Sequence, residues 1–143
     1  GRSCAVFRAV CENAAKAAIQ LQQIFYRMTK YFIENFNTAN FLTEALYHSK
    51  AASYFTNYRV QHFIFVRTLI EQAQREGDIC SDMNSYEIYT TLQSILIQPI
   101  IIKNNILQQH KNEPLMDKLK LIDVSSESSL QKRLRVAFKG LRP

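Results

Sequence analysis

The sequence predicts an all-α protein, an orthogonal or antiparallel bundle of about five to six helices. Three observations carry that expectation. Glycines and prolines number three each while hydrophobic residues make up 47%, so helix breakers are scarce and apolar material for a core is plentiful. Apolar residues recur at steps of three and four over long stretches, the period of one helix face. The third observation is the punctuation in "EGDICSDMNSYEI", residues 76–88. Gly77 suits the left-handed residue that follows a helix end. Asn84 and Glu87 have the N-cap and N3 spacing of a capping box, with Met83 and Ile88 at the flanking hydrophobic-staple positions. One helix is therefore expected to stop near Glu76 and another to start at Ser85.

The first helix is expected from about Ser3 to Glu34. Phe7, Cys11, Ala14, Ala18, Leu21, Phe25, Met28 and Phe32 alternate steps of four and three, an a/d seam that suits a core helix laid across a bundle, with a coiled-coil partner as the alternative. Asn37 caps a short helix running to about Ala52, with Phe36 and Phe41 at its staple positions. A third helix follows from about Asn57 to Glu76. Phe63, Val66, Ile70 and Ala73 line its inner side, and Gln61, Thr68, Glu71, Gln72 and Arg75 its wet side. The helix from Ser85 to about Gln109 keeps Glu87, Thr91, Ser94, Gln98 and Asn105 in one narrow polar sector. The remainder divides into two apolar stripes: Tyr86, Tyr89, Gln93, Leu96 and Ile100 form one, and Ile88, Leu92, Ile95, Pro99, Ile102 and Ile106 the other. A surface helix of a monomer needs only one stripe, so this helix is expected to lie between its own core and something else. Pro99 removes a backbone bond to Ile95, which predicts a kink. A short helix after Pro114 is expected next. The last helix, from about Ser126 to Leu141, carries Leu130, Leu134, Ala137, Phe138 and Leu141 on one face.

One hundred and forty-three residues read as a single domain over 1–143, large enough to fold without disulfides or metal. The chain opens inside a helical pattern with no cap and no start methionine, which reads as a fragment lacking an N-terminal part. Three scattered cysteines, Cys4, Cys11 and Cys80, fit no zinc or redox spacing and read as reduced thiols of a cytoplasmic protein. "ILIQPIII" is too short and interrupted to span a bilayer. A net charge of +6 hints at an acidic partner but also serves solubility.

Chemistry-bearing patterns are few. Glu44 and His48 stand four apart, yet no second pair completes a metal site. No glycine-rich phosphate loop, serine elbow or Cys–His arrangement can be read, so no catalytic residue, metal or cofactor is expected. Lys132, Arg133, Arg135, Lys139 and Arg142 make the last helix basic and amphipathic. That face suits solvent over a packed stripe, with an anionic membrane or nucleic acid as the alternative. The surplus of large side chains is more informative. Phe25, Met28, Tyr31, Phe32, Phe63, Val66, Tyr86, Tyr89 and Leu96 are either an aromatic core or the lining of an apolar cleft. His62, Tyr89 and Gln93 would supply its few polar groups.

"VRTLIEQAQREGDICSDMNSYEIYTTLQSIL" resembles the C-terminal regulatory domain of TetR-type transcriptional regulators. The likeness rests on Arg75, Gly77, Asp78, Ile79, Asp82, Asn84 and Glu87 around the turn, and on "FKGL", residues 138–141, as the close of a last helix. "LQQIFYRMTKYFIENFNTANFLTEAL" is similar to the earlier pocket helices of that family in order and length. The resemblance implies a cytoplasmic effector-binding and homodimerisation domain of a repressor-type regulator. Its ligand is then an apolar or amphipathic small molecule, lined by Phe25, Met28, Phe32, His62, Phe63, Val66, Tyr89, Gln93 and Leu96. It implies that the two last long helices pair with a second copy. Ile88, Leu92, Ile95, Ile102, Ile106, Leu130, Leu134, Ala137, Phe138 and Leu141 are the expected interface. DNA is then met only through an N-terminal helix-turn-helix domain absent from this chain, with no membrane partner. Two such heads must stand about 34–36 Å apart to enter successive major grooves. An all-α interaction or scaffold module with no ligand is the alternative; a small helical enzyme and a membrane-surface protein are further ones.

Overall fold

The structure, a computed structural model, describes residues 16–35, 49–110, 114, 117 and 122–143; for 49–59 and 108 it describes the backbone alone. The described residues form five helices: α1 (Ala17–Glu34), α2 (Ser49–Arg75), α3 (Ser85–Leu96), α4 (Gln98–Gln109) and α5 (Glu127–Gly140). The expected cap at Asn37, the Glu44–His48 pair and the short helix after Pro114 fall largely or wholly outside them.

α1 begins after Lys16, which is extended (φ −129°, ψ 144°); its carbonyl accepts the first helical bonds from the amides of Ile19 and Gln20 at 3.1 and 3.2 Å. The expected helix does not run through Lys16, where no glycine or proline announces a stop, and Phe7, Cys11 and Ala14 of its seam lie outside the described residues. Beyond that point the seam behaves as read: Ala18, Leu21 and Phe25 are buried. Thr29 is buried with them, and its hydroxyl donates to the Phe25 carbonyl at 2.7 Å, which answers the polar group within its own helix.

α2 corrects a second boundary. It is one helix of 27 residues, not two separated between Ala52 and Asn57. Ser53, Tyr54, Thr56 and Asn57 are middling helix formers that cost a few tenths of a kcal/mol each, too little to end a helix in the absence of Gly or Pro. Its inner face is as expected, with Val66, Ile70 and Ala73 fully buried.

The turn between α2 and α3 is fixed at every step. Gly77 takes φ +81°. Its amide donates to the Gln74 carbonyl at 3.1 Å, and the Asp78 amide to the Ala73 carbonyl at 3.0 Å. These two bonds are the paired closure of a Schellman motif. Ile79 then drops into the core, 1% exposed. The Gln74 side-chain amide donates to the carbonyls of Cys80 (3.0 Å) and Met83 (2.8 Å). The Cys80 amide donates to the Leu141 carbonyl at 2.7 Å, which ties the turn to the end of α5. The capping box closes as predicted: Asn84 Oδ1 accepts from the Glu87 amide at 2.9 Å, and Glu87 Oε1 accepts from the Asn84 amide at 3.3 Å.

The expected kink is a full separation into α3 and α4 at Ile97 (φ −98°, ψ −43°). The Ile100 and Ile101 amides both donate to the Ile97 carbonyl, at 3.1 and 3.3 Å. Pro99 has no amide to give Ile95, and Ile100 gives its own to Ile97 instead of Leu96. The carbonyls of Ile95 and Leu96 thus lose their ordinary helical partners. Arg133 of α5 supplies one of them, its Nη2 donating to the Leu96 carbonyl at 3.2 Å.

α3 is the centre of the bundle, packed on α1, α2, α4 and α5, while α1 also packs on α2 and α5. α5 is capped by Ser126, whose hydroxyl oxygen accepts from the Ser129 amide at 3.1 Å. Its apolar face enters the same core as Leu21, Phe25, Ile70 and Leu92. None of the helices, among the described residues, is long and apolar enough to cross a membrane.

Candidate functional site

The bundle brings three polar residues from two helices to one point. His62 of α2 and Tyr89 of α3 meet at 2.6 Å, Nδ1 to hydroxyl. One turn further along α3, Gln93 Nε2 donates to the same hydroxyl at 3.0 Å. The four-residue spacing of Tyr89 and Gln93 stacks them on one helix face, and the Schellman turn with its capping box sets the angle at which α2 presents His62 to them. Burial holds the His62 imidazole below its usual pKa, since a cation is costly to desolvate. The ring is therefore neutral at pH 7.

Around this chain of hydrogen bonds lies an aromatic cluster. Phe25 meets Tyr89 edge to face at 6.1 Å between centroids, and Phe63 meets Tyr89 at 5.3 Å. Phe63 also meets Tyr86 at 5.6 Å with the rings almost perpendicular. These are the arrangements that align a ring's positive edge with another's negative face. The cluster has a closed floor, with Phe25 and Tyr89 buried, and an open rim, with Tyr86 60% exposed and His62 and Phe63 partly so.

The expected ligand residues divide accordingly. His62, Phe63, Tyr89 and Gln93 come together, with Phe25 beneath them. Val66 and Leu96 have no accessible surface, and Met28 and Phe32 pack against the core partly buried. Phe25, Val66 and Leu96 are therefore filled core positions in this conformation.

The expected dimer seam is redistributed more strongly. Ile88 and Leu92 are fully buried in the chain's own core, and Ile95 packs against it. Leu130, Leu134, Ala137, Phe138 and Leu141 are buried there as well. The reason is that α3 touches neighbours on several sides, so both of its apolar stripes contribute to the chain's own core, with Tyr86 left exposed. Only past the bend does the seam emerge, with Ile102 53% and Ile106 36% exposed.

Arg133 is a further correction. It belongs to the basic helix by sequence but not to its solvated face. Besides the Leu96 carbonyl, its Nη1 donates to the Val124 carbonyl at 2.8 Å and to Ser129 Oγ at 2.6 Å. Its Nε is buried with no partner among the described residues, so part of that gain is offset. Lys132, Arg135, Lys139 and Arg142 are exposed as expected. Gln74 and Arg133 do structural work that no local pattern announced.

An open cleft of about 470 Å³ lies between the 80–83 loop and the C-terminus, lined by Cys80, Asp82, Met83 and Arg142 among others. It contains none of the expected ligand residues. Burial, and then the Asp82 carboxylate, push the Cys80 thiol up, which leaves it protonated and a poor nucleophile. No three metal-ligating side chains converge among the described residues. A search of known protein families, curated proteins and solved structures finds no match to this chain.

Proposed function

We propose that this chain is the effector-binding and homodimerisation domain of a TetR-like transcriptional regulator in the cytoplasm. Its effector is an apolar or amphipathic small molecule, and DNA is met through a separate N-terminal domain. The observation that carries the reading is the His62–Tyr89–Gln93 chain on its aromatic floor. A few convergent polar groups amid apolar side chains between helices is the composition of a small-molecule site. The exposed pair Ile102 and Ile106 on α4 supports a second copy as partner, continuing past the bend the seam read from the sequence.

The route of control follows from the α2–α3 turn. A ligand seated against His62 and Phe63 bears on α2. The turn, fixed by the Schellman bonds, Gln74 and the capping box, passes that displacement to α3 as a rigid tilt. Bound effector then favours one of two quaternary arrangements by its differential affinity for them.

Thermal shift against a panel of hydrophobic compounds, with native mass spectrometry in parallel, tests this reading. A rise in Tm with a subset of compounds and a mass near twice 16.6 kDa are expected. A monomer indifferent to every compound would instead favour an all-α interaction module. The exposed Val60, Ile64 and Phe65 of α2 are the surface that such a module would use.

A further inference from the structure

The hydrogen bonds at the candidate site have a direction. Gln93 donates its amide proton to the Tyr89 oxygen. At 2.6 Å the contact between Tyr89 and His62 is in the short range that hydroxyl donors make. Phenol O–H is the better acid of that pair and imidazole nitrogen the better base, so the proton runs from Tyr89 to Nδ1. A neutral imidazole carries one N–H. With Nδ1 accepting, that proton sits on Nε2. His62 is only partly buried, and its Nε2–H has no protein acceptor among the described residues.

We propose that His62 Nε2–H, aligned through Tyr89 and Gln93, recognises an uncharged oxygen acceptor, a carbonyl or ether carried on a flat apolar body resting against Phe63 and Tyr86. This deepens the effector-binding reading and rests on it. The flat body follows from the rim, where Tyr86 is 60% exposed and stands edge-on to Phe63. The missing charge follows from the chemistry of the donors. A carboxylate taken from water needs a cation to offset its desolvation. Among the described residues, His62 is held neutral by burial, and Arg67, five residues further along α2, is already paired with Glu71 at 2.8 Å.

Two measurements test the proposal. Long-range ¹H–¹⁵N correlation spectra of the free protein are expected to show His62 as the neutral Nε2–H tautomer; an Nδ1–H tautomer would overturn the inference. NMR titration with 9-fluorenone and with fluorene then compares one flat body with and without its carbonyl. The protein is expected to bind fluorenone roughly threefold to tenfold more tightly, the size of one net hydrogen bond. His62→Phe should remove that preference while retaining fluorene binding. Tyr89→Phe, which keeps the buried ring, should narrow it by releasing the tautomer. Equal binding of the two compounds by the unsubstituted protein sinks the donor assignment alone. A preference that survives His62→Phe does the same. Binding of neither compound overturns both this inference and the effector reading beneath it.

Discussion

Two junctions shape this bundle, and they are built on opposite principles. The α2–α3 turn is assembled almost wholly from residues inside it. Gly77 supplies the left-handed step, Asn84 and Glu87 close the capping box, and Gln74 reaches forward only six and nine residues to pin the loop. The α3–α4 bend has one local cause, Pro99, and its repair comes from far away. Arg133 reaches the stranded Leu96 carbonyl across 37 positions of sequence. A turn of the first kind leans little on the rest of the molecule beyond the tie of the Cys80 amide to the Leu141 carbonyl, whereas a bend of the second kind depends on α5 being docked.

That contrast can be broken most sharply at Arg133. Arg133→Met removes three charge-assisted bonds and strands the Leu96 and Val124 carbonyls. A loss of about 2–3 kcal/mol in chemical denaturation is expected. A loss under about 0.5 kcal/mol, the size of an ordinary surface substitution, would mean that the bend holds itself.

Gly77→Ala comes next. The added methyl meets nothing within 4 Å, so the cost is conformational alone, about 1–2 kcal/mol for a left-handed alanine. Asn84→Ala should cost about 1 kcal/mol through the lost cap. Each should add to Arg133→Met within about 0.5 kcal/mol, because Arg133 bonds to no residue of the turn.

Pro99→Ala sharpens the contrast from the other side. Alone it should change stability little. Combined with Arg133→Met it should recover at least about 0.5 kcal/mol, since an alanine at 99 restores helical donors to Ile95 and lets Ile100 return to Leu96. Strict additivity in that double-mutant cycle would separate the arginine from the proline.

The smallest effect is one of pH. Burial lowers the native His62 pKa below the ordinary value of about 6.5. On acidification the unfolded chain binds the proton first. Stability is therefore full above about pH 7 and declines as pH falls through 6.5 toward the lowered native value. His62→Phe should flatten that part of the profile, read from denaturation midpoints at successive pH values.

The same contrast explains what could be read from the residues alone. Helical periodicity placed the inner faces of α1, α2 and α5, because burial of one stripe is a property of each helix by itself. The glycine step and the capping box of the α2–α3 turn were equally legible, lying within thirteen consecutive letters, whereas the pinning by Gln74 and the tie to Leu141 were not. The meeting of His62, Tyr89 and Gln93 was legible only as a condition, that all three face inward. The break at Lys16 was not legible, since no breaker marks it. The continuity of α2 through Ser53–Asn57 was hidden by residues of weak propensity that a long helix simply tolerates. The facing of α3 is not legible, because two stripes on one helix look the same in sequence whether the second meets a neighbour in the same chain or one in another. Arg133 read as part of a solvated basic face because a carbonyl left over by a proline on another helix has no sequence signature.

The tie between the turn and the C-terminus bears on the order of folding. The Cys80 amide donates to the Leu141 carbonyl, so the most locally encoded turn of the molecule is completed by its last helix. Contacts so distant along the chain form only after the intervening loop entropy has been spent. The turn can therefore nucleate early on Gly77 and Asn84 yet lock late. In hydrogen exchange the Cys80 amide should open only with the whole molecule, while its neighbours in the same turn open by local fluctuation.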